Sequence, residues 1–312
     1  MLLAGCATYV PSTQADAFDK SVKAAATNLQ ASLDEVQSVE VDNQVDIFVQ
    51  GDDHTLEHLD LDPKLTDKLA KAITTQFSVL VSYADALKSV TTPGSAWGTS
   101  VSKVKSACDK VIADSGALAA NMGKATLLTP ASVTAITGHA DSFSNAVSTA
   151  GQGLLTIYGE EKAFAVAHKV DPDLQSYCKD LEKILSQDSS SGASETGLAG
   201  ILHANYERKI SVLKIRFTSA PPARNPDDPN FLPALEWRSN LVKEFVALRK
   251  DEAAGEAKIT ALRKAVGDIA AAHSALANRN DAKFRDKLAD ADGLLESAIH
   301  GAPAPEGDAG TK

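Results

Sequence analysis

The chain has 312 residues, 44% of them hydrophobic and 5% aromatic, which supports one large domain or two ordinary ones and excludes wholesale disorder. Alanine, leucine and valine carry the apolar content, a mixture that favours helices over sheets. The net charge of −10 at pH 7 disfavours nucleic acid as a partner, and no run approaches the roughly 18 apolar residues that span a bilayer.

In chain order, Met1-Leu2-Leu3-Ala4-Gly5-Cys6 opens the sequence, and a Thr/Pro/Ser/Gln stretch follows. Leu3-Ala4-Gly5-Cys6 resembles the lipobox of bacterial lipoproteins, in which a signal peptidase cuts before a cysteine that carries lipid on its sulfur. The resemblance covers these four residues and implies lipidation of Cys6. A complete signal also has a basic segment and an apolar stretch of about 7–15 residues ahead of the cleavage site, so the expected native start lies upstream of Met1. Ala7, a non-Asp residue after the cysteine, implies by the same resemblance sorting to the inner leaflet of the outer membrane, facing the periplasm. Residues 1–12 are then lipobox and tether, 13–300 a helical bundle, and 301–312 a disordered Gly/Pro/Ala tail.

Ser12 or Thr13 can cap a first helix that runs to about Gln50, with Phe18, Val22, Ala25, Leu29, Leu33 and Val36 inward, then Val41, Val45 and Phe48. Residues 51–62 are an acidic connector, and Asp62-Pro63 starts a second helix with Leu69, Ile73, Phe77, Leu80 and Leu87. Thr92-Pro93-Gly94 breaks the chain before a third helix, whose seam is Trp97, Val101, Val104, Cys108, Val111, Ser115, Leu118 and Met122. Thr129-Pro130 opens a fourth, with Ile136, Ala140, Phe143 and Val147, expected to run on to Phe164 and His168. Asp171-Pro172 restarts the chain with Leu174, Cys178, Leu181 and Leu185.

The Ser-rich stretch 186–197 is a loop and the one candidate sub-boundary. A helix over 198–218 and a five-proline segment from Pro221 to Pro233 follow. A long helix with Leu235, Leu241, Phe245, Leu248, Ile259, Leu262, Val266, Ile269 and His273 comes next, and a last helix carries Phe284, Leu288 and Leu295. The expected fold is all-α: an elongated bundle of about 7–8 amphipathic helices with coiled-coil-like packing. Charge is uneven along it. Residues 1–100 hold six Lys/Arg and fourteen Asp/Glu, net −8, while residues 201–300 hold sixteen and fourteen, net +2.

The sharpest chemical motif is His54-Thr55-Leu56-Glu57-His58, which resembles the inverzincin zinc-protease signature, with two histidine ligands and a glutamate base. That signature needs a helix, whereas this stretch lies in a connector. No Glu occurs between Glu57 and Glu160 to supply a third ligand. His54, Glu57 and His58 are therefore at most weak metal candidates in a solvated acidic loop, and no cofactor is expected. His168 and His273 fall on apolar seams, where a buried, hydrogen-bonded histidine is the ordinary outcome; His139 and His203 carry less signal. Cys108 and Cys178 both face inward, and in an oxidising envelope they form a candidate disulfide. No nucleophile elbow, P-loop or dinucleotide fingerprint is present, so no catalytic residue is expected. The expected function is a lipid-anchored envelope protein, non-catalytic, that binds an unknown envelope protein or serves a structural role. The alternatives are a membrane-active bundle resembling helical pore-forming proteins, with Phe77–Leu87 as its best hairpin candidate, or an enzyme with an unrecognised site.

Overall fold

A computed structural model describes residues 11–50, 67–92, 97–116, 121–122, 125–126, 128–152, 161–186, 195–221 and 229–300. The lipobox with Cys6, the connector with His54, Glu57 and His58, residues 187–194 and the 301–312 tail lie outside the described residues. Among the described residues the protein is an all-α bundle of eight helices: α1 (Pro11–Gln50), α2 (Asp67–Val90), α3 (Trp97–Asp114), α4 (Pro130–Gln152), α5 (Glu161–Leu185), α6 (Gly197–Ser219), α7 (Phe231–Ala277) and α8 (Asp281–His300). At 1.5 Å per residue the 40-residue α1 and the 47-residue α7 run about 60 and 70 Å.

Cross-chain pairs set the directions. Lys23 and Lys88 tie the start of α1 to the end of α2 through Asp85, Asp16 and Asp19, so these helices are antiparallel. Lys258 pairs with Glu35 at 2.9 Å while Ser21 donates to Asp292 at 2.6 Å, which sets α7 antiparallel and α8 parallel to α1. Gly255 of α7 faces both Glu35 and Leu202, and further along Lys209 reaches Asp42 at 2.7 Å, so α6 runs parallel to α1. The start of α1 and the start of α8 thus share one end of the bundle. The ends of α1 and α6 and the start of α7 share the other.

The expected stripes form the core: Phe18, Val22, Leu29, Leu33 and Val36 of α1 are buried, as are Leu69, Ile73, Phe77, Leu80 and Leu87 of α2. One apolar cluster takes residues from every helix, on both sides of the 186–197 stretch. Two glycines permit close approaches. Gly197 has φ +81, and a Cβ there would lie 1.8 Å from the Ser186 carbonyl oxygen, so only glycine lets α6 start beside the end of α5. A Cβ on Gly255 would meet Leu202 at 2.7 Å and Glu35 at 2.6 Å, so its absence brings α7 against α6 and α1.

Four expectations are corrected. The third helix ends at Asp114 instead of continuing to Met122, which lies in a two-residue strand. Asn121–Met122, Ala125–Thr126 and Glu195–Thr196 form a small sheet, antiparallel then parallel, that joins the α3–α4 connection to the chain entering α6. The helix from Pro130 ends at Gln152 and a new one starts at Glu161. The seam extrapolated across this break placed His168 inward, whereas it is exposed. Asp171-Pro172 is not a restart, because α5 runs through Pro172.

Pro172 is exposed in the interior of α5, so it supplies no core packing and removes one backbone donor. An interior proline costs about 3 kcal/mol, partly offset by its restriction of the unfolded chain. Pro172→Ala is expected to stabilise the protein by about 1–2 kcal/mol, read as a rise in the urea midpoint at unchanged slope.

Candidate functional site

The deepest polar arrangement crosses three helices. Tyr83 of α2 and His273 of α7 are fully buried, and Tyr83 Oη lies 2.7 Å from His273 Nε2. On the other side of the ring, His273 Nδ1 lies 2.9 Å from Asp171 Oδ1 of α5. Burial and the nearby Asp171 charge push the Tyr83 hydroxyl well above its ordinary range, so it keeps its proton and donates it to Nε2. That assignment leaves the ring proton on Nδ1, donated to Asp171. Burial would raise the Asp171 carboxyl, but the hydrogen bond from His273, with bonds from Gln175 and Ser274, outweighs it and holds the group below its usual range.

Phe18, Phe143 and Tyr177 close around this chain, with Tyr83 edge-on to Phe143 at 5.3 Å and Phe18 tilted against His273 at 5.6 Å. An Asp–His–hydroxyl order is the logic of a nucleophilic triad. Here the hydroxyl belongs to a residue with no exposed surface, enclosed by rings. The arrangement locks helices together and presents no reacting atom to a substrate.

A second cluster lies between α6 and α7. His203 and Glu207 are one turn apart on α6, Glu252 and Glu256 one turn apart on α7, and Gly255 lets the two faces meet. His203 Nδ1 is 2.8 Å from Glu252 Oε1 and 3.2 Å from Glu256 Oε1. Arg249 reaches Glu207 Oε1 and Glu252 Oε2, each at 2.7 Å. Glu252 is buried, whereas His203, Glu207 and Glu256 are partly open. A single atom from each of His203, Glu207 and Glu252 falls within 4.8 Å of the others, close enough to share a metal ion.

The end of the bundle formed by α1, α6 and α7 is the third feature. Of the eleven exposed large hydrophobic side chains among the described residues, nine lie there: Val45, Ile47, Val49, Ile215, Leu232, Leu235, Trp237, Val242 and Val246. The expected inward run of α1 therefore fails at Val45, which is 38% exposed and lines an open groove with Leu213 of α6 and Leu248 of α7. Leu235, expected on the inward seam of α7, is likewise 48% exposed. A small satellite core of Leu213, Ala220 and Leu241 holds the α6–α7 hairpin, and a groove of about 310 Å³ runs beside it along Phe217, Leu241, Val242 and Phe245. Over 205–221 and 229–250, α6 and α7 carry eight Lys/Arg against three Asp/Glu, and with Glu40, Asp42 and Asp46 of the last turns of α1 the end is net +2 within an acidic protein. Arg238 sits 4.0 Å over the Phe217 ring and caps the Phe217 and Ala220 carbonyls.

No family model matches the chain, no curated protein matches it, and no solved structure matches it.

Among the residues singled out in the sequence, His273 is buried with two partners where one was expected, and Cys108 and Cys178 are buried free thiols. The candidate disulfide is not formed. Each sulfur fills its own helix seam as a small apolar group, beside the Tyr177 ring whose hydroxyl feels both. Cys6, His54, Glu57 and His58 lie outside the described residues, and His139 pairs with the buried Asp180 at 2.5 Å. The His203 cluster was missed. Its signal was the His-x-x-x-Glu spacing on α6, which needs the Glu-x-x-x-Glu of α7 to become a constellation. No described helix is long and apolar enough to cross a membrane, and Phe77, Leu80 and Leu87 of the former hairpin candidate are core residues.

Burial raises the Cys108 thiol to about 12 and pushes Cys178 above the ordinary thiol range, so neither is a thiolate at neutral pH. Both are expected to resist maleimide in the folded protein and to react once it is unfolded without reductant, as counted by mass spectrometry. A lowered folded-state carboxyl contributes stability that is present above the unfolded value and lost as pH falls through the folded one. Asp171→Asn is therefore expected to flatten the loss of stability below about pH 4, read as the urea midpoint against pH.

Proposed function

We propose that this chain is a lipid-anchored, non-catalytic protein of the bacterial cell envelope, tethered through Cys6 to the inner leaflet of the outer membrane. Its bundle carries a docking end for an acidic envelope protein. The reading rests on one observation: the two ends of the bundle differ in kind. The N-terminal end, where Gln14 meets Asp281 and Ser21 meets Asp292, is polar and hydrogen-bonded between helices. The opposite end, about 60 Å away along α1, gathers the exposed apolar side chains and a net positive charge of +2. An anchored N-terminus would hold this second end out into the periplasm.

Apolar side chains such as Leu235 and Trp237, on a stretch that also carries Arg238, Lys243, Arg249 and Lys250, suit a partner surface that is acidic at its rim and apolar at its centre. Exposed aromatic and arginine side chains are also the types that anchor protein interfaces.

The full gene product is expected to fractionate with membranes, and Cys6→Ser to release it into the soluble fraction; equal membrane recovery removes the anchor. A photo-crosslinking residue at position 237 is expected to join one discrete protein, and the same residue at Lys283 on α8 to join none. Crosslinking to lipid from position 237 would favour the membrane-active reading, and Leu235→Glu is expected to abolish the adduct without lowering stability.

A further inference from the structure

The α6–α7 cluster has an unusual convergence that the function proposed above does not use. Two carboxylate oxygens, Glu252 Oε1 and Glu256 Oε1, approach the same imidazole nitrogen at 2.8 and 3.2 Å. Two carboxylate oxygens facing one imidazole nitrogen repel each other unless a cation, a proton on that nitrogen or a metal ion, lies among them. Glu252 Oε1 is buried and accepts no hydrogen bond, so its contact with His203 Nδ1 is an approach of charge without a directed N–H. The other oxygen of Glu252 is held by Arg249 at 2.7 Å, which fixes the carboxylate with Oε1 turned toward the cluster.

We propose that His203, Glu207 and Glu252, with Glu256 at the rim, form a binding site for a divalent first-row transition ion of the Zn2+ class. Bonds of about 2.0–2.1 Å at tetrahedral angles separate neighbouring ligand atoms by about 3.3 Å, against 2.8 Å between His203 Nδ1 and Glu252 Oε1 and at most 4.8 Å from either residue to Glu207. The charge also fits: three glutamates and Arg249 sum to −2, which a divalent ion neutralises. One imidazole with carboxylates suits zinc, manganese or ferrous iron better than calcium or magnesium, which prefer oxygen alone. Side chains at i and i+4 on each helix present two ligands per face, and the absent Cβ at Gly255 brings the faces within reach. Arg249 acts outside the ion, orienting Glu207 and Glu252 as hydrogen-bonded partners of metal ligands commonly do. The half-exposed Glu207 and Glu256 leave a path from solvent.

A proton on His203 Nδ1 would satisfy the same two carboxylates, and the experiment separates the two cations. Zn2+ is titrated by calorimetry at pH 7.5 into the full chain carrying His54→Ala and His58→Ala, which removes the connector histidines as competitors. The expected result is one ion per chain, with affinity lowered tenfold or more by His203→Ala and by Glu207→Gln. Glu207 is half-exposed, so its variant retains the fold if the His203 variant does not, and far-ultraviolet dichroism verifies both. Co2+ in place of Zn2+ is expected to give visible absorption that Glu207→Gln diminishes. The proposal is overturned if the background protein takes up no zinc, or if a folded His203→Ala or Glu207→Gln variant binds it as tightly.

Discussion

The bundle depends on one buried hydrogen-bonded chain, Tyr83 to His273 to Asp171. Helices packed by alanine and leucine alone tolerate sliding, since an apolar stripe one turn along looks much like the last. A hydrogen bond in a water-free core does not tolerate it, because each partner left unpaired costs roughly 1–3 kcal/mol. By linking α2, α7 and α5, this chain sets one register for the three helices at once. Tyr177 donates to the Gln76 carbonyl and Oε1 and fixes α5 against α2 a turn or two away. The rings of Phe18 and Phe143 then have one shape of space to fill, and α1 and α4 follow them.

Local signals in the sequence were good guides to the features of this arrangement that local physics controls. Thr129 caps α4 through the Ser132 amide, next to the proline that was expected to start it, and the stripes of α1 as far as Val36 and of α2 from Leu69 are buried where their spacing placed them. Signals failed where the outcome belongs to two helices. A period of three and four put both His168 and His273 on seams. Only His273 is buried, because the seam of His168 was carried across a break between Gln152 and Glu161. Two cysteines that each face inward need not bond, and Cys108 and Cys178 are free thiols. Pro172 was given its usual breaking role, yet Leu174, Tyr177 and Cys178 on one side and Phe164 and Val170 on the other hold α5 continuous through it.

The His203 cluster shows the same limit from the opposite side. Its four ligand-type side chains sit on two helices nearly fifty residues apart in sequence, and neither half stands out among 41 acidic residues. What unites them is Gly255, whose missing side chain lets the backbones close, and the antiparallel course of the α6–α7 hairpin. Apolar surface is divided just as unevenly. Side chains of α7 from Ile259 onward are largely core, whereas those before Leu248 mostly face solvent.

That division gives α7 a mechanical character. Its C-terminal half is clamped between α5, α8 and α1, while its N-terminal half is mostly exposed and rests chiefly on α6, so the helix is a beam fixed at one end. A pull directed along the bundle, between the start of α1 and the α6–α7 turn, would act on antiparallel helices lying side by side. It would load their shared face in shear, so that contacts such as Glu35 with Lys258 and the rows of leucine around them resist together instead of peeling away in succession from an end.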